Sequence, residues 1–235
     1  MARAIPESRF AQLIEVATNT FVTRGYRLTQ MSDVAEALGV AKGTLYGYVE
    51  SKEALFDAAV RFADGQVPLP DPSVLPVPTP ASDSTVKYVQ TRLMEEAREL
   101  KLLEVLSRTK GGRPISDEFE SIVRDLYRRM LRNRCALKLI DRCALDHPEL
   151  ASVWFEQGRD GPLALLASYL EKSVAEGKMR RIPDVQLAAR MVLETIALWA
   201  IHMPRDASPC SFSDDAVESA IVDMLVHAYA KEKVR

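Results

Sequence analysis

Residues 29–56 read Thr-Gln-Met-Ser-Asp-Val-Ala-Glu-Ala-Leu-Gly-Val-Ala-Lys-Gly-Thr-Leu-Tyr-Gly-Tyr-Val-Glu-Ser-Lys-Glu-Ala-Leu-Phe, and few backbone paths suit that order of side chains. Hydroxyls between Thr29 and Ser32 fit a helix start, and Val34, Ala35 and Leu38 recur on one side of the short helix that follows. Gly39 permits a backbone reversal, and Val40 stands where the angle between two helices needs an apolar plug. A second short helix is expected from about Lys42 to Val49, polar outside, with Leu45 and Val49 turned inward. Ser51 then caps a longer helix with Glu53 in its first turn and Leu55, Phe56, Ala59, Val60 and Phe62 on its apolar side. Upstream, Pro6 suits a first helical turn, and Phe10, Leu13, Ile14, Ala17, Phe21 and Val22 repeat at helical spacing up to Gly25.

Residues 66–80 carry six of the 13 prolines, a density that neither a helix nor a central strand tolerates. We read them as a stiff extended linker, with a PxxP ligand as the alternative. They divide the chain into 1–65, 66–80 and 81–235. Beyond them, 83–109 is charged and amphipathic, closing at Gly111-Gly112, and 116–145 opens with Ser116, Asp117 and Glu118. His147-Pro148 begins a short helix reaching Gln157; 162–176 stops at Gly177, 184–203 lies between Asp184 and Pro204, and 213–232 starts at Ser213. Strand alternation of useful length and internal repeats are both missing from the sequence, so the fold class expected is all-α.

Composition narrows the function. No apolar run reaches the roughly 20 residues that span a bilayer, and Arg9, Gln12 and Glu15 interrupt any signal-peptide pattern. A cytoplasmic protein with no membrane partner is expected. Cys135, Cys143 and Cys210 are odd in number and lack CxxC spacing, which suits packing thiols, with a redox sensor as the alternative. Gly111-Gly112-Arg113-Pro114 lacks the preceding strand and the following Lys-Ser/Thr of a phosphate loop, so it reads as a surface turn. His147 suits a cap and His202 an interface; neither has metal-site company, and no catalytic signature appears. No enzyme activity, metal or cofactor is expected. The net charge is only −2, and residues 1–63 balance seven basic residues (Arg3, Arg9, Arg24, Arg27, Lys42, Lys52, Arg61) against seven acidic ones. If the first quarter binds a polyanion, placement must do what total charge does not.

The run Asp33-Val-Ala-Glu-Ala-Leu-Gly-Val-Ala-Lys-Gly-Thr-Leu-Tyr-Gly-Tyr-Val-Glu-Ser-Lys-Glu-Ala-Leu-Phe56 resembles the N-terminal helix-turn-helix domain of the TetR family of one-component transcriptional regulators. The Thr-Leu-Tyr-x-Tyr and Ser-Lys-Glu-Ala-Leu segments are its distinctive parts, and the resemblance reaches back to about residue 8. Asp146-His-Pro-Glu-Leu-Ala is similar to a loop–helix boundary in the family's C-terminal domains. Gly47 stands where relatives usually carry His or another polar residue, and Val49 where they carry Phe. A glycine inside a helix costs about 1 kcal/mol.

The resemblance implies a set of contacts. Lys42, Gly43 and Thr44 would face the major groove and its phosphates, and Tyr46 would give its hydroxyl to a phosphate with Tyr48 beside it. Lys52 and Thr29 would meet phosphates from the flanks. Core packing for Tyr46 and a solvated helix charge for Lys52 are the alternatives. Long polar side chains are few in the reading helix, so DNA shape should contribute. A homodimer on a near-palindromic double-stranded operator is also implied. Its interface would be built from 162–176 (Leu163, Leu166, Leu170, Val174) and 184–203 (Leu187, Met191, Thr195, Leu198, His202), with intramolecular core as the alternative. A small apolar or amphipathic effector would sit in a C-terminal ligand-binding and dimerisation domain, among Met94, Leu102, Phe119, Tyr127, Met130, Trp154, Phe155, Trp199 and Met203, with core packing as the alternative for each. The function expected is a homodimeric, sequence-specific DNA-binding repressor released from its operator by that effector. The alternative is a DNA-bound architectural or protein-recruiting dimer without one.

Overall fold

Helical periodicity dominates the sequence, and the computed structural model realises it: every regular element among the described residues is helical, apart from two isolated bridges, Val49–Val77 and Met179–Ala230. The structure describes residues 7–108, 113–205, 208 and 211–231; Arg3, Pro6, Gly111, Gly112 and Cys210 lie outside these. Packing groups the chain into two compact units, Met1–Thr91 with Asn133–Trp154, and Arg92–Arg132 with Phe155–Arg235. The division at 65 and 80 followed local sequence character. The packing units cross it, because residues 133–154 belong with the N-terminal helices.

The first unit holds α1 (Glu7–Arg24), α2 (Met31–Leu38), α3 (Lys42–Leu45) and α4 (Lys52–Phe62), the first part of α5 (Ser84–Arg98), and α8 (Arg134–Ala144) with α9 (Pro148–Val153). The α1 stripe Phe10, Leu13, Ile14, Ala17 and Phe21 is buried, and α1 packs against α2, α4 and α8. Burying such a stripe removes apolar surface from water at roughly 25 cal/mol per Å². The second unit holds α6 (Lys101–Ser107), α7 (Ile115–Arg132), α10 (Gly161–Ala175), α11 (Val185–Ala197) and α12 (Asp214–Tyr229). Here α10 pairs with α11, and α7 lies against α6, α11 and α12. Val185–His202, which is α11 and its π-helical continuation Leu198–His202, is apolar and long enough to cross a membrane by length and composition, yet only 39% of it is buried.

Two stretches expected as single helices are broken, each by a carboxylate from elsewhere in the chain. Residues 83–109 form α5 and α6, because Asp125 of α7 accepts the Lys101 amide (2.9 Å) while Arg129 donates to the Glu99 carbonyl (2.7 Å). Residues 116–145 form α7 and α8, because Asp64 accepts the amides of Cys135 (2.8 Å) and Ala136 (2.9 Å) at the start of α8. Helix ends need partners for their unpaired backbone groups, and these acids supply them.

Between α7 and α12 the Glu218 side chain is 6% exposed and meets Arg124 (2.7 Å) and Arg128 (3.0 Å). Burial pushes the carboxyl up, but the hydrogen bonds and charges of Arg128 and Arg124 outweigh it and hold Glu218 below the usual carboxylate range. The contribution to stability is therefore complete above the unfolded glutamate value of about 4.3 and is lost as the pH falls through the lower folded value. Glu218→Gln should flatten the dependence of the melting temperature on pH below about 5. Parallel curves for the two proteins would show that the network contributes nothing.

Candidate nucleic-acid interface

The exposed surface of the N-terminal unit is assembled by turns rather than by long elements. α1 stops at Gly25, whose φ of +83° suits a residue without a β-carbon and whose amide returns to the Phe21 carbonyl (2.7 Å). α2 begins at Gln30, the amide of which is taken by Asp33 (2.8 Å), itself paired with Arg24 (3.2 Å). The hydroxyl of Thr29 does not cap this helix; it donates backwards to the Gly25 carbonyl (2.7 Å). Met31, Val34, Ala35 and Leu38 bury the inner face of α2, and Gly39 (φ +71°) ends it.

The reading helix expected over 42–49 is a single α turn, Lys42–Leu45, continued by tighter turn bonds from Gly47 to Thr44 (3.1 Å) and from Tyr48 to Leu45 (2.9 Å). Leu45 and Val49 are fully buried, which fixes the outward side. That side presents Lys42, Gly43, Thr44, Tyr46 and Gly47, with Tyr46 43% exposed despite its large ring. Core packing is therefore not the role of Tyr46.

Three expected contact residues sit differently. Thr29 is 1% exposed with its hydroxyl engaged, and Tyr48 is 7% exposed with its ring 6.5 Å from that of Phe10, so both support the module from within. Lys52 is half-buried: its ammonium lies 4.5 Å above the Tyr26 ring and donates to the Arg27 carbonyl (3.3 Å). Burial holds the Lys52 amine below the usual lysine range. Tyr26 in turn packs on Phe21, Phe56 and His147, and burial, reinforced by Glu53, pushes its phenol up to about 12. Gln30 and Ser32, at the start of α2, are exposed beside the positions where Thr29 was expected to act.

Sequence reasoning missed α8 altogether as a part of this module. Arg142 donates to the Arg24 carbonyl (3.0 Å), and Asp146 accepts the Arg27 amide (3.3 Å), so the end of α8 and the residues just after it grip the α1–α2 turn. With Asp64 at its other end, α8 is fastened to the helix-turn-helix scaffold at both termini. No local signal in the sequence announces contacts of such long range. Cys143, on the same helix, is fully buried and its thiol is pushed up to about 12 by burial, the state of an inert packing group rather than a reactive thiolate.

In the second unit Leu102, Phe119 and Tyr127 are buried and Met130, Phe155 and Trp199 half-buried; the Phe119 ring lies 6.1 Å from Tyr169. Met94 is 45% exposed, and Trp154 belongs to the other unit, where its indole donates to Asp141 (2.8 Å). The residues named for a subunit interface also divide. Leu166 and Leu170 on α10 are fully buried in the protomer, Leu163, Val174 and His202 are half-buried, and Met191 and Leu198 are exposed, as is Leu187.

A three-helix scaffold presenting one short polar turn is the arrangement of a helix-turn-helix protein. Residues 13–59 match the family described as bacterial regulatory proteins, tetR family, and residues 137–231 match the C-terminal domain of AefR-like transcriptional repressors. The chain belongs to the TetR family of transcriptional regulators, a family of regulators and not of enzymes. Its N-terminal segment is 38% identical over 53 residues to the HTH-type transcriptional repressor KstR2 of Rhodococcus jostii, covering 23% of this chain and 26% of that protein. The corresponding match to Mycobacterium tuberculosis KstR2 is 39% over 54 residues, covering 23% of this chain and 27% of that one. The matched region thus spans about a quarter of the length of these curated relatives. The fatty acid metabolism regulator protein of Bacillus subtilis is 21% identical over 198 residues, covering 83% of this chain and 84% of that protein. The solved structure of the ketosteroid transcriptional regulator KstR2 of M. tuberculosis superposes with a TM-score of 0.58 at 16% identity, over 99% of this chain and 100% of that one, so the whole fold is shared.

Proposed function

We propose that this protein is a homodimeric, sequence-specific DNA-binding transcriptional regulator, a repressor released from its operator by a small apolar or amphipathic effector. The observation that carries the reading is the exposed run Lys42, Gly43, Thr44, Tyr46 and Gly47, held outward by buried Leu45 and Val49 within the segment that matches the family. Compact donors on a rigid turn suit phosphate oxygens and base edges in a major groove. Lys52 and Thr29 enter this reading as supports of the scaffold, and Lys52 retains free donor capacity on its ammonium for a phosphate. A cytoplasmic location accompanies the role.

Two copies are needed because one head is nearly neutral and its reading turn is short, so affinity must come from joining two modest contacts. The exposed Leu187, Met191 and Leu198 on one side of α11 and its continuation support a surface for a second copy. The aromatic and apolar group Leu102, Phe119, Tyr127, Met130, Phe155 and Trp199 supports an apolar effector in the second unit, in keeping with relatives named for fatty acid and ketosteroid regulation.

Genomic fragments retained by the protein, sequenced and then used in gel shifts, test the DNA reading. Tyr46→Phe should weaken binding of the dimer to a retained duplex by roughly 25-fold to 100-fold through loss of one hydroxyl–phosphate contact in each protomer. Lys42→Ala should lower the slope of log affinity against log salt by about two, one phosphate contact for each protomer of the dimer. Unchanged affinity and slope in both variants would remove these residues from the interface.

A further inference from the structure

The single turn of α3 leaves the chain beyond Leu45 with little helix to hold it, and Gly47 loosens it further. Two backbone groups in that stretch find their partners in the proline-rich segment. The Val77 amide donates to the Tyr48 carbonyl (2.8 Å), and the Glu50 amide donates to the Val77 carbonyl (3.0 Å), setting Val77 beside Val49 as a parallel bridge. Two residues on, the Thr79 amide donates to the Glu50 carboxylate (2.8 Å). The Thr79 hydroxyl donates to Ser51 Oγ (2.9 Å), the oxygen that caps α4 by accepting from the Ala54 amide (3.1 Å).

Prolines at 76, 78 and 80 leave Val77 and Thr79 as the only residues of 76–80 with an amide hydrogen, and both are engaged by the reading module. The prolines also narrow the conformations available before docking, which reduces the entropy lost on ordering. Asp71 is the only charged residue in 66–80, so this strap offers no cation to a phosphate. The contacts of Val77 and Thr79 are to the scaffold that holds α3.

We infer that residues 66–80 are not a spacer but a strap that positions the DNA-reading turn, with Val77 and Thr79 as positioning residues acting through Tyr48, Glu50 and Ser51. The inference rests on the DNA-binding reading above. The strap reinforces the far end of a short reading turn, where the Tyr48 and Val49 amides already return to the Leu45 carbonyl, and ties that end to the cap of α4. Loss of the strap contacts should therefore damage discrimination between duplexes more than general attraction to DNA.

The full-length protein is first allowed to select duplexes from a random double-stranded pool; variants are then measured on the best selected duplex and on a scrambled duplex of equal length. Val77→Pro removes the donor to Tyr48 and is expected to bind the selected duplex about tenfold more weakly. Its binding to the scrambled duplex and its oligomeric state should stay as in the parent. Val77→Ala, which keeps both backbone bonds, should restore the parent affinity. Full affinity of Val77→Pro for the selected duplex, or an equal loss on both duplexes, overturns the inference. Should Val77→Pro fail to fold, Thr79→Val decides: about threefold weaker binding to the selected duplex supports the strap, and parent affinity overturns it. A parent protein that selects no duplex would instead overturn the DNA-binding reading, and with it the role of the strap.

Discussion

Met191→Asp is expected to convert the proposed dimer into a monomer and to reduce operator affinity by roughly a hundredfold or more, because the second head would no longer be delivered at high effective concentration. Leu187 and Met191 are each 57% exposed and Leu198 is 46% exposed, while Ala188, Ala189, Val192, Leu193 and Ile196 of the same helix face the protomer's own core. α11 thus has two apolar sides and only one is covered. Beside it, α10 turns Leu166 and Leu170 inward and leaves Ala164, Ser168, Glu171 and Ala175 outward, a face in which only Glu171 is large. An aspartate placed between such surfaces would be buried without a partner, at a cost of several kcal/mol in association. On an exposed helix position of the free protomer the same change costs little, so folding should survive. Light scattering coupled to gel filtration reads the oligomer, and a gel shift on a retained duplex reads the affinity. If both Met191→Asp and Leu198→Asp remain dimeric, the interface lies elsewhere, with α12 and its 50% exposed Met224 the next surface to probe.

Elements whose start and stop are written locally were legible in the sequence. Ser51, Asp184 and Ser213 each cap the helix they precede, accepting from Ala54, Leu187 and Ala216, and Gly25, Gly39 and Gly177 take the positive φ that ends one. The inward role of Leu45 and Val49 followed from spacing alone. Breaks made by distant side chains were not legible: nothing near residue 100 or residue 133 shows that Asp125 and Asp64 will arrive there. The same holds for the site. Tyr46 and Tyr48 are two residues apart with identical chemistry, yet the tight turn after Leu45 sends one ring to solvent and the other against Phe10. Thr29 had the right type for a phosphate contact, and only the return of its hydroxyl to Gly25 shows that it is engaged within the module. Proline density excludes a long helix over 66–80, where the chain makes only a short 3-10 turn at Pro72–Val74, but which of its few amides would be used depended on where the fold laid it.

Gly25→Ala should destabilise the N-terminal unit by about 3 kcal/mol, more than the same substitution at Gly39, although both glycines have similar positive φ, +83° and +71°. The left-handed backbone costs any residue with a β-carbon about 1–2 kcal/mol, and that part is common to the two sites. At Gly39 the added methyl would meet nothing within 4 Å. At Gly25 it would stand 2.6 Å from Arg142 Nη1, and closer still to the Asp146 carboxylate. Neither group can withdraw freely. Arg142 is bonded to the Arg24 carbonyl (3.0 Å) and Asp146 to the Arg27 amide (3.3 Å), so the methyl would break the grip of α8 on the turn that leads into α2. Chemical denaturation of the two variants beside the parent measures the gap between them, expected to be about 1–2 kcal/mol. Equal losses would mean that the clamp yields without cost. A double-mutant cycle with Arg142→Ala separates the causes: if the excess at Gly25 is collision with the clamp, removing the guanidinium first should reduce the further loss from Gly25→Ala towards that seen at Gly39. Strict additivity would clear Arg142 and leave the excess to the Asp146 carboxylate.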